Sequence, residues 1–117
     1  MPSRRQRRVA ELIHRELSLL LMREVDDPRL ADVTITAVDV TPDLLVARAF
    51  FTVLGDDEQV AAAQAGLERA TGFLRTQLAG RVQLRLVPHL TFELDKSEAR
   101  GRRIDELLDQ LAKDGAL

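Results

Sequence analysis

The stretch from residue 60 to residue 94 constrains the fold most, because its apolar spacing changes from helical to extended near Gly80. Val60, Ala63, Leu67, Ala70, Leu74 and Leu78 recur every three or four residues, the spacing of one buried helical face. Gly72 lies inside that run. Glycine in a helix interior is about 1 kcal/mol worse than alanine, so it predicts either a kink or the close approach of another backbone, with Arg69 and Arg75 flanking it. Valine at 72 is then expected to destabilise the fold or straighten the junction. Gly80 suits the position just past a helix end. Beyond it Val82, Leu84, Leu86, Leu90, Phe92 and Leu94 share one strand face, and Gln83, Arg85, His89, Thr91 and Glu93 take the other. Proline cannot donate to a ladder, so Pro88 makes this strand an edge or bulges it there.

The preceding segments supply partners for that unit. Ser3 and Gln6 have capping-box spacing, and Val9, Leu12, Ile13, Leu17, Leu20 and Leu21 then form one amphipathic stripe that stops at Asp26-Asp27-Pro28. Val33, Ile35 and Ala37 alternate before Val38 and Val40 take the opposite phase, which predicts a bulge or sharp twist. After a turn at Thr41-Pro42-Asp43, Leu45, Ala47, Ala49, Phe51 and Val53 form the inner face of a second strand, completing a hairpin. Gly55-Asp56-Asp57 offers an N-cap for the next helix. A last helix follows Ser97, with Ile104, Leu107, Leu108 and Leu111 on one side.

A chain of 117 residues, 45% hydrophobic, suits a single α+β domain over residues 1–117, fraying at about 114–117. Every strand has one apolar phase, so the reading is a three-stranded sheet with helices on one face. With no cysteine, thiolate chemistry and cysteine-bound zinc are excluded. His14 and His89 lack a partner at metal spacing. The adjacent acids Asp26/Asp27 and Asp56/Asp57 fit helix termination and capping better than general acid and base work, and none of Ser3, Ser18 and Ser97 sits in a nucleophile elbow. The expectation is no enzyme, no catalytic residue, no cofactor, no metal and no small-molecule substrate. No apolar run reaches membrane-spanning length, and Glu11, His14, Arg15 and Glu16 break any signal-peptide core, so a cytoplasmic protein without membrane attachment is expected.

Net charge is −2 but unevenly placed. Residues 1–29 carry seven Arg against five acids, and residues 69–103 carry seven Arg and one Lys against three. Such polarity steers a phosphate backbone whatever the total. Four phenylalanines and no Trp or Tyr leave few platforms for stacking bases, so RNA contact would rest on arginine and backbone.

The order of elements resembles the type II K-homology fold. Arg8-Val9-Ala10 with Glu16-Leu17, Asp27-Pro28-Arg29-Leu30, Ala70-Thr71-Gly72-Phe73-Leu74-Arg75, and Leu84-Arg85-Leu86-Val87-Pro88 with Leu90-Thr91-Phe92 resemble the pattern of ribosome-binding factor A, a family of bacterial small-subunit assembly factors. The resemblance implies the order α-β-β-α-kink-α-β plus a C-terminal helix, with an Ala-x-Gly interruption at Ala70, Thr71 and Gly72 replacing the GxxG loop of ordinary K-homology domains. It also implies a monomer that binds the free small (30S) subunit and its 16S rRNA. There it would assist late maturation and rRNA end processing, including in the cold, by stoichiometric binding. The residues expected to meet RNA are Arg4, Arg5, Arg7 and Arg8, then Ala70, Thr71 and Gly72, then Arg75, Arg81 and Arg85, and finally Arg100, Arg102 and Arg103. The competing reading is a protein–protein adaptor with no RNA contact, its arginines serving solubility alone.

Overall fold

The computed structural model of the chain describes residues 1–96. Helix α1 (Arg4–Arg23) is followed by a 3-10 turn (Pro28–Leu30), strands β1 (Val33–Val40) and β2 (Val46–Val53), helix α2 (Asp57–Arg81) and strand β3 (His89–Leu94). The helix expected after Ser97, with Arg100, Arg102 and Arg103, lies outside the described residues.

Local chemistry sets the start of both helices. The Ser3 hydroxyl accepts from Gln6 N at 3.1 Å while Gln6 Oε1 accepts from Ser3 N at 2.8 Å, the expected capping box. Asp56 and Gln59 repeat the arrangement at α2, at 2.9 Å in both directions. Val9, Ile13, Leu17, Leu20 and Leu21 bury one face of α1. The helix ends at Arg23, ahead of the Asp26-Asp27-Pro28 stop.

The sheet has the order β1-β2-β3. β1 and β2 form the expected antiparallel hairpin, and its register shifts between Ile35 and Ala37, which is the bulge the change of phase predicts. Thr36 is the extra residue, and its Oγ1 donates to Asp95 Oδ2 at 2.6 Å. β3 pairs parallel to β2, from Val46 beside His89 to Phe51 beside Leu94. Ala47, Ala49 and Phe51 of the central strand, with Leu90 and Phe92 of β3, are buried in one core with the apolar stripes of both helices.

The structure corrects two readings. Helix α2 is one helix through Gly72 and Gly80, with Val82 as its C-cap, so the helix-kink-helix order is not observed. A Cβ at Gly72 would meet nothing within 4 Å among the described residues, so neither a bend nor tight packing against them requires this glycine, and the reason for expecting valine to be disruptive is gone. The third strand is also shorter than its alternation suggests. β2 begins at Val46, opposite His89, so residues 82–88 have no strand beside them among the described residues to pair with. β3 is an edge strand starting just past Pro88, as proline's missing donor requires.

Side chains from each helix tie it to an edge strand. Gln6 Nε2 donates to Val40 O at 2.9 Å, and His14 Nε2 lies 2.8 Å from Ile35 O. A carbonyl only accepts, so Nε2 of His14 carries the proton. On the other side Gln64 Nε2 donates to Phe92 O at 2.9 Å.

Candidate nucleic-acid interface

The capping box fixes where the first arginines stand. It holds the start of α1, and the Gln6 bond to Val40 O anchors that start to the end of β1. Arg4, Arg5, Arg7 and Arg8 project from it, all exposed, and none has an ion-pair partner among the described residues. The first turn of α1 contains no acid. Four cations therefore sit at the positive end of a helix dipole, a placement that favours an anion brought from outside.

Arg75, Arg81 and Arg85, expected on one surface, go to three different places. Arg75 is half-buried, its Nε donating to Pro88 O at 3.2 Å and its Nη2 to Val87 O at 2.9 Å. Arg81 reaches back to α1, with Nη2 at 3.2 Å from Glu24 Oε1 and Nη1 at 3.8 Å from Glu16 Oε2. Arg85 is exposed and unpaired among the described residues, and it lines a cleft with Arg5. The structure thus joins Arg85 to the α1 cluster and engages Arg75 and Arg81 within the domain.

That cleft has a volume of about 150 Å³ and lies between the start of α1, the turn before β2 and the segment before β3. Its apolar wall includes Val9, Leu44, Leu45, Leu84 and Leu86. Leu45 and Leu86, expected on buried strand faces, are 49% and 69% exposed. The turn is tightly made: Thr41 N donates to Val46 O at 3.0 Å, Leu44 N to Thr41 O at 2.8 Å, and Leu45 N to Asp43 Oδ1 at 3.0 Å. Leu44 occupies the left-handed region at φ 63°, unusual for a bulky side chain. The Thr41 hydroxyl, then the Leu45 amide, hold the Asp43 carboxyl below its ordinary value.

Of the Ala-x-Gly triplet, Ala70 and Thr71 are half-buried, and the Thr71 hydroxyl donates to Leu67 O at 2.9 Å. Gly72 is exposed with open space over it, so bare helix backbone faces outward there.

Two further arrangements go beyond the expectations drawn from the sequence. Asp27 caps the 3-10 turn through Arg29 N at 3.0 Å and holds the Arg29 side chain, with Nη2 to Oδ2 at 2.7 Å. The Arg29 side-chain bond, then its backbone bond, keep the Asp27 carboxyl below 3.8. Gly66 is buried against this turn. Its signal was present: it adjoins Leu67 on the apolar stripe of α2, where a missing side chain implies close packing.

No group of His, Cys, Asp or Glu that could hold a metal occurs among the described residues, and none of their helices is long and apolar enough to cross a membrane. A mixed three-stranded sheet packed with two helices, carrying an exposed arginine cluster at a helix start, defines a small α+β fold with a cationic patch. Residues 5–108 match the family model described as Ribosome-binding factor A. The chain is 48% identical over 103 residues to ribosome-binding factor A of Nitrosomonas europaea, covering 88% of each, and 45% identical over 113 residues to that of Thioalkalivibrio sulfidiphilus, covering 96% of this chain and 88% of the relative. The crystal structure of ribosome-binding factor A from Thermus thermophilus superimposes with a TM-score of 0.69 at 28% identity, over 76% of this chain and 93% of that one. A homology model of the Thermus thermophilus factor, fitted into a cryo-EM map of its 30S complex, gives 0.63 at 29% identity, over 74% and 91%. The chain belongs to the ribosome-binding factor A family.

Proposed function

We propose that this chain binds the free 30S subunit through 16S rRNA and assists late maturation of the subunit and of its rRNA ends, including at low temperature. The observation that carries this reading is the exposed cluster of Arg4, Arg5, Arg7 and Arg8, without ion-pair partners among the described residues, on an acid-free helix start, with Arg85 beside it. Phosphates supply the anions that such a helix end lacks. The relatives' names support the reading, as does the fitting of one of them into a 30S complex. Gly72 fits it too, since a helix face without a Cβ lets an RNA backbone come close. The order of elements is compatible with a type II K-homology-like domain that works as a cytoplasmic monomer.

The action is stoichiometric binding. A binder shifts an rRNA conformational equilibrium only by its difference in affinity for the two states. Cosedimentation with immature and mature small subunits across a salt series tests this. The expected result is preference for immature subunits, with affinity falling steeply as salt rises. Salt-insensitive association would instead favour the adaptor reading. Cells depleted of the protein should accumulate unprocessed rRNA ends in the cold, and normal processing there would sink the maturation role.

A further inference from the structure

The cleft walled by Leu44, Leu45 and Leu86 joins three properties. It is apolar, it is flanked by two cations without partners among the described residues, and a bulky residue in a left-handed conformation forms part of its wall. Backbone outliers of that kind cluster at ligand sites, where the surroundings hold them in place. Here six hydrogen bonds within Thr41–Val46 do so: Thr41 N and the Thr41 hydroxyl donate to Val46 O, Leu44 N to Thr41 O, Leu45 N and the Thr41 hydroxyl to Asp43 Oδ1, and Val46 N to Thr41 Oγ1 at 3.1 Å.

We propose that this cleft takes one unpaired cytidine nucleotide of RNA, its base against Leu44, Leu45 and Leu86 and its phosphate between Arg5 and Arg85. A flat ring attached to a phosphodiester matches an apolar slot bordered by guanidinium groups. The volume of about 150 Å³ is that of a cavity that holds one six-membered aromatic ring, which matches a pyrimidine in size. Asp43 also lines the cleft; its Oδ1 already accepts from the Thr41 hydroxyl and Leu45 N, which leaves Oδ2, and an ionised carboxylate can only accept hydrogen bonds. Cytosine offers its N4 amino group where uracil offers an acceptor, so Asp43 favours cytosine. Two cations at the rim favour RNA over an apolar protein side chain, which would leave both guanidinium groups without an anion. The inference rests on the RNA-binding reading above and names the nucleotide that reading leaves open.

The test is a titration of the full-length chain, isotopically labelled for NMR, with a short oligocytidylate, the matching oligouridylate and an abasic phosphodiester chain of the same length. Amide shifts should concentrate at Val9, Leu44, Leu45 and residues 84–86, with oligocytidylate bound about tenfold more tightly than oligouridylate and the abasic chain weaker still. Leu86→Ser and Arg85→Gln, both at exposed positions, should each weaken oligocytidylate binding by roughly tenfold while amides outside the cleft keep their shifts. Equal binding of the abasic chain, or shifts elsewhere on the protein, would overturn the proposal. So would a leucine-rich peptide that fills the cleft while oligocytidylate does not. Uridylate binding as tight as cytidylate would overturn the role given to Asp43. Cosedimentation of the wild-type chain separates the two readings: subunit binding without oligocytidylate binding overturns only the cleft, and no subunit binding overturns the functional reading itself.

Discussion

Gly66 lies so close to Leu30 that a Cβ on it would stand 3.0 Å from Leu30 Cδ2 and 3.4 Å from Leu30 Cγ, with Asp27 Oδ2 also at 3.4 Å. This is where α2 meets the 3-10 turn, and Leu30 is only 2% exposed, so it has little room to yield. Overpacking a core contact costs about 1–3 kcal/mol, which outweighs the gain of about 1 kcal/mol that alanine brings to a helix. Gly66→Ala should therefore lower the urea midpoint, and Gly66→Val should lower it further. A rise for either would mean that the turn moves aside freely.

The same substitution six residues on should act in the opposite sense. Nothing among the described residues lies within 4 Å of a Cβ built on Gly72, and the helix is continuous there, so Gly72→Ala keeps only the propensity gain of up to about 1 kcal/mol. In a chain of 117 residues that raises the thermal midpoint by up to roughly 4 °C. If Gly72 serves RNA approach, the stabilised variant should bind immature subunits more weakly than wild type. A variant both more stable and equally well bound would remove the functional reason for this glycine.

These two glycines also mark what the sequence makes legible. Ser3 with Gln6, Asp56 with Gln59, and the change of phase around Thr36 are local backbone chemistry, and spacing alone reveals them. The break expected at Gly72 does not form because a propensity cost of about 1 kcal/mol is small beside the burial of Leu67, Leu74 and Leu78 on either side of it. Residues 82–88 alternate like a strand, yet pairing depends on where β2 begins, and that is fixed by the Leu44 turn. The fates of Arg75 and Arg81 depend on tertiary partners, Val87, Pro88, Glu16 and Glu24, that no periodicity encodes.

Asp27 should make stability sensitive to acid. Its folded carboxyl titrates below the ordinary 3.8, chiefly because the Arg29 side chain donates to the charged form. A depressed carboxylate contributes stability that is fully present above its unfolded value and is lost as pH falls through the folded one. Wild type should then be more stable than Asp27→Asn at neutral pH, with the two curves converging below pH 3.8. Urea unfolding of both proteins across that range checks it, and a gap that stays constant into acid would mean the turn does not depend on the Asp27 charge.

The arginines should separate into two groups by what their removal changes. Replacing Arg4, Arg7 and Arg8 with glutamine takes cations away from the positive end of α1, which relieves the helix by a few tenths of a kcal/mol, so stability should hold or rise slightly. Subunit association should weaken, and the slope of log affinity against log salt should fall by about 1 for each phosphate no longer neutralised. Arg75→Ala should behave in reverse. It removes two charge-assisted bonds to Val87 O and Pro88 O, so it should cost about 1.5–3 kcal/mol of stability while the salt slope stays as in wild type. Arg81→Ala belongs with it at a smaller scale, about 0–1 kcal/mol, because its closer pair, with Glu24, is on the surface and its contact with the half-buried Glu16 is long at 3.8 Å. If Arg75→Ala flattened the salt dependence and the α1 variant did not, the phosphate-binding surface would lie around α2 and the loop after it, away from the start of α1.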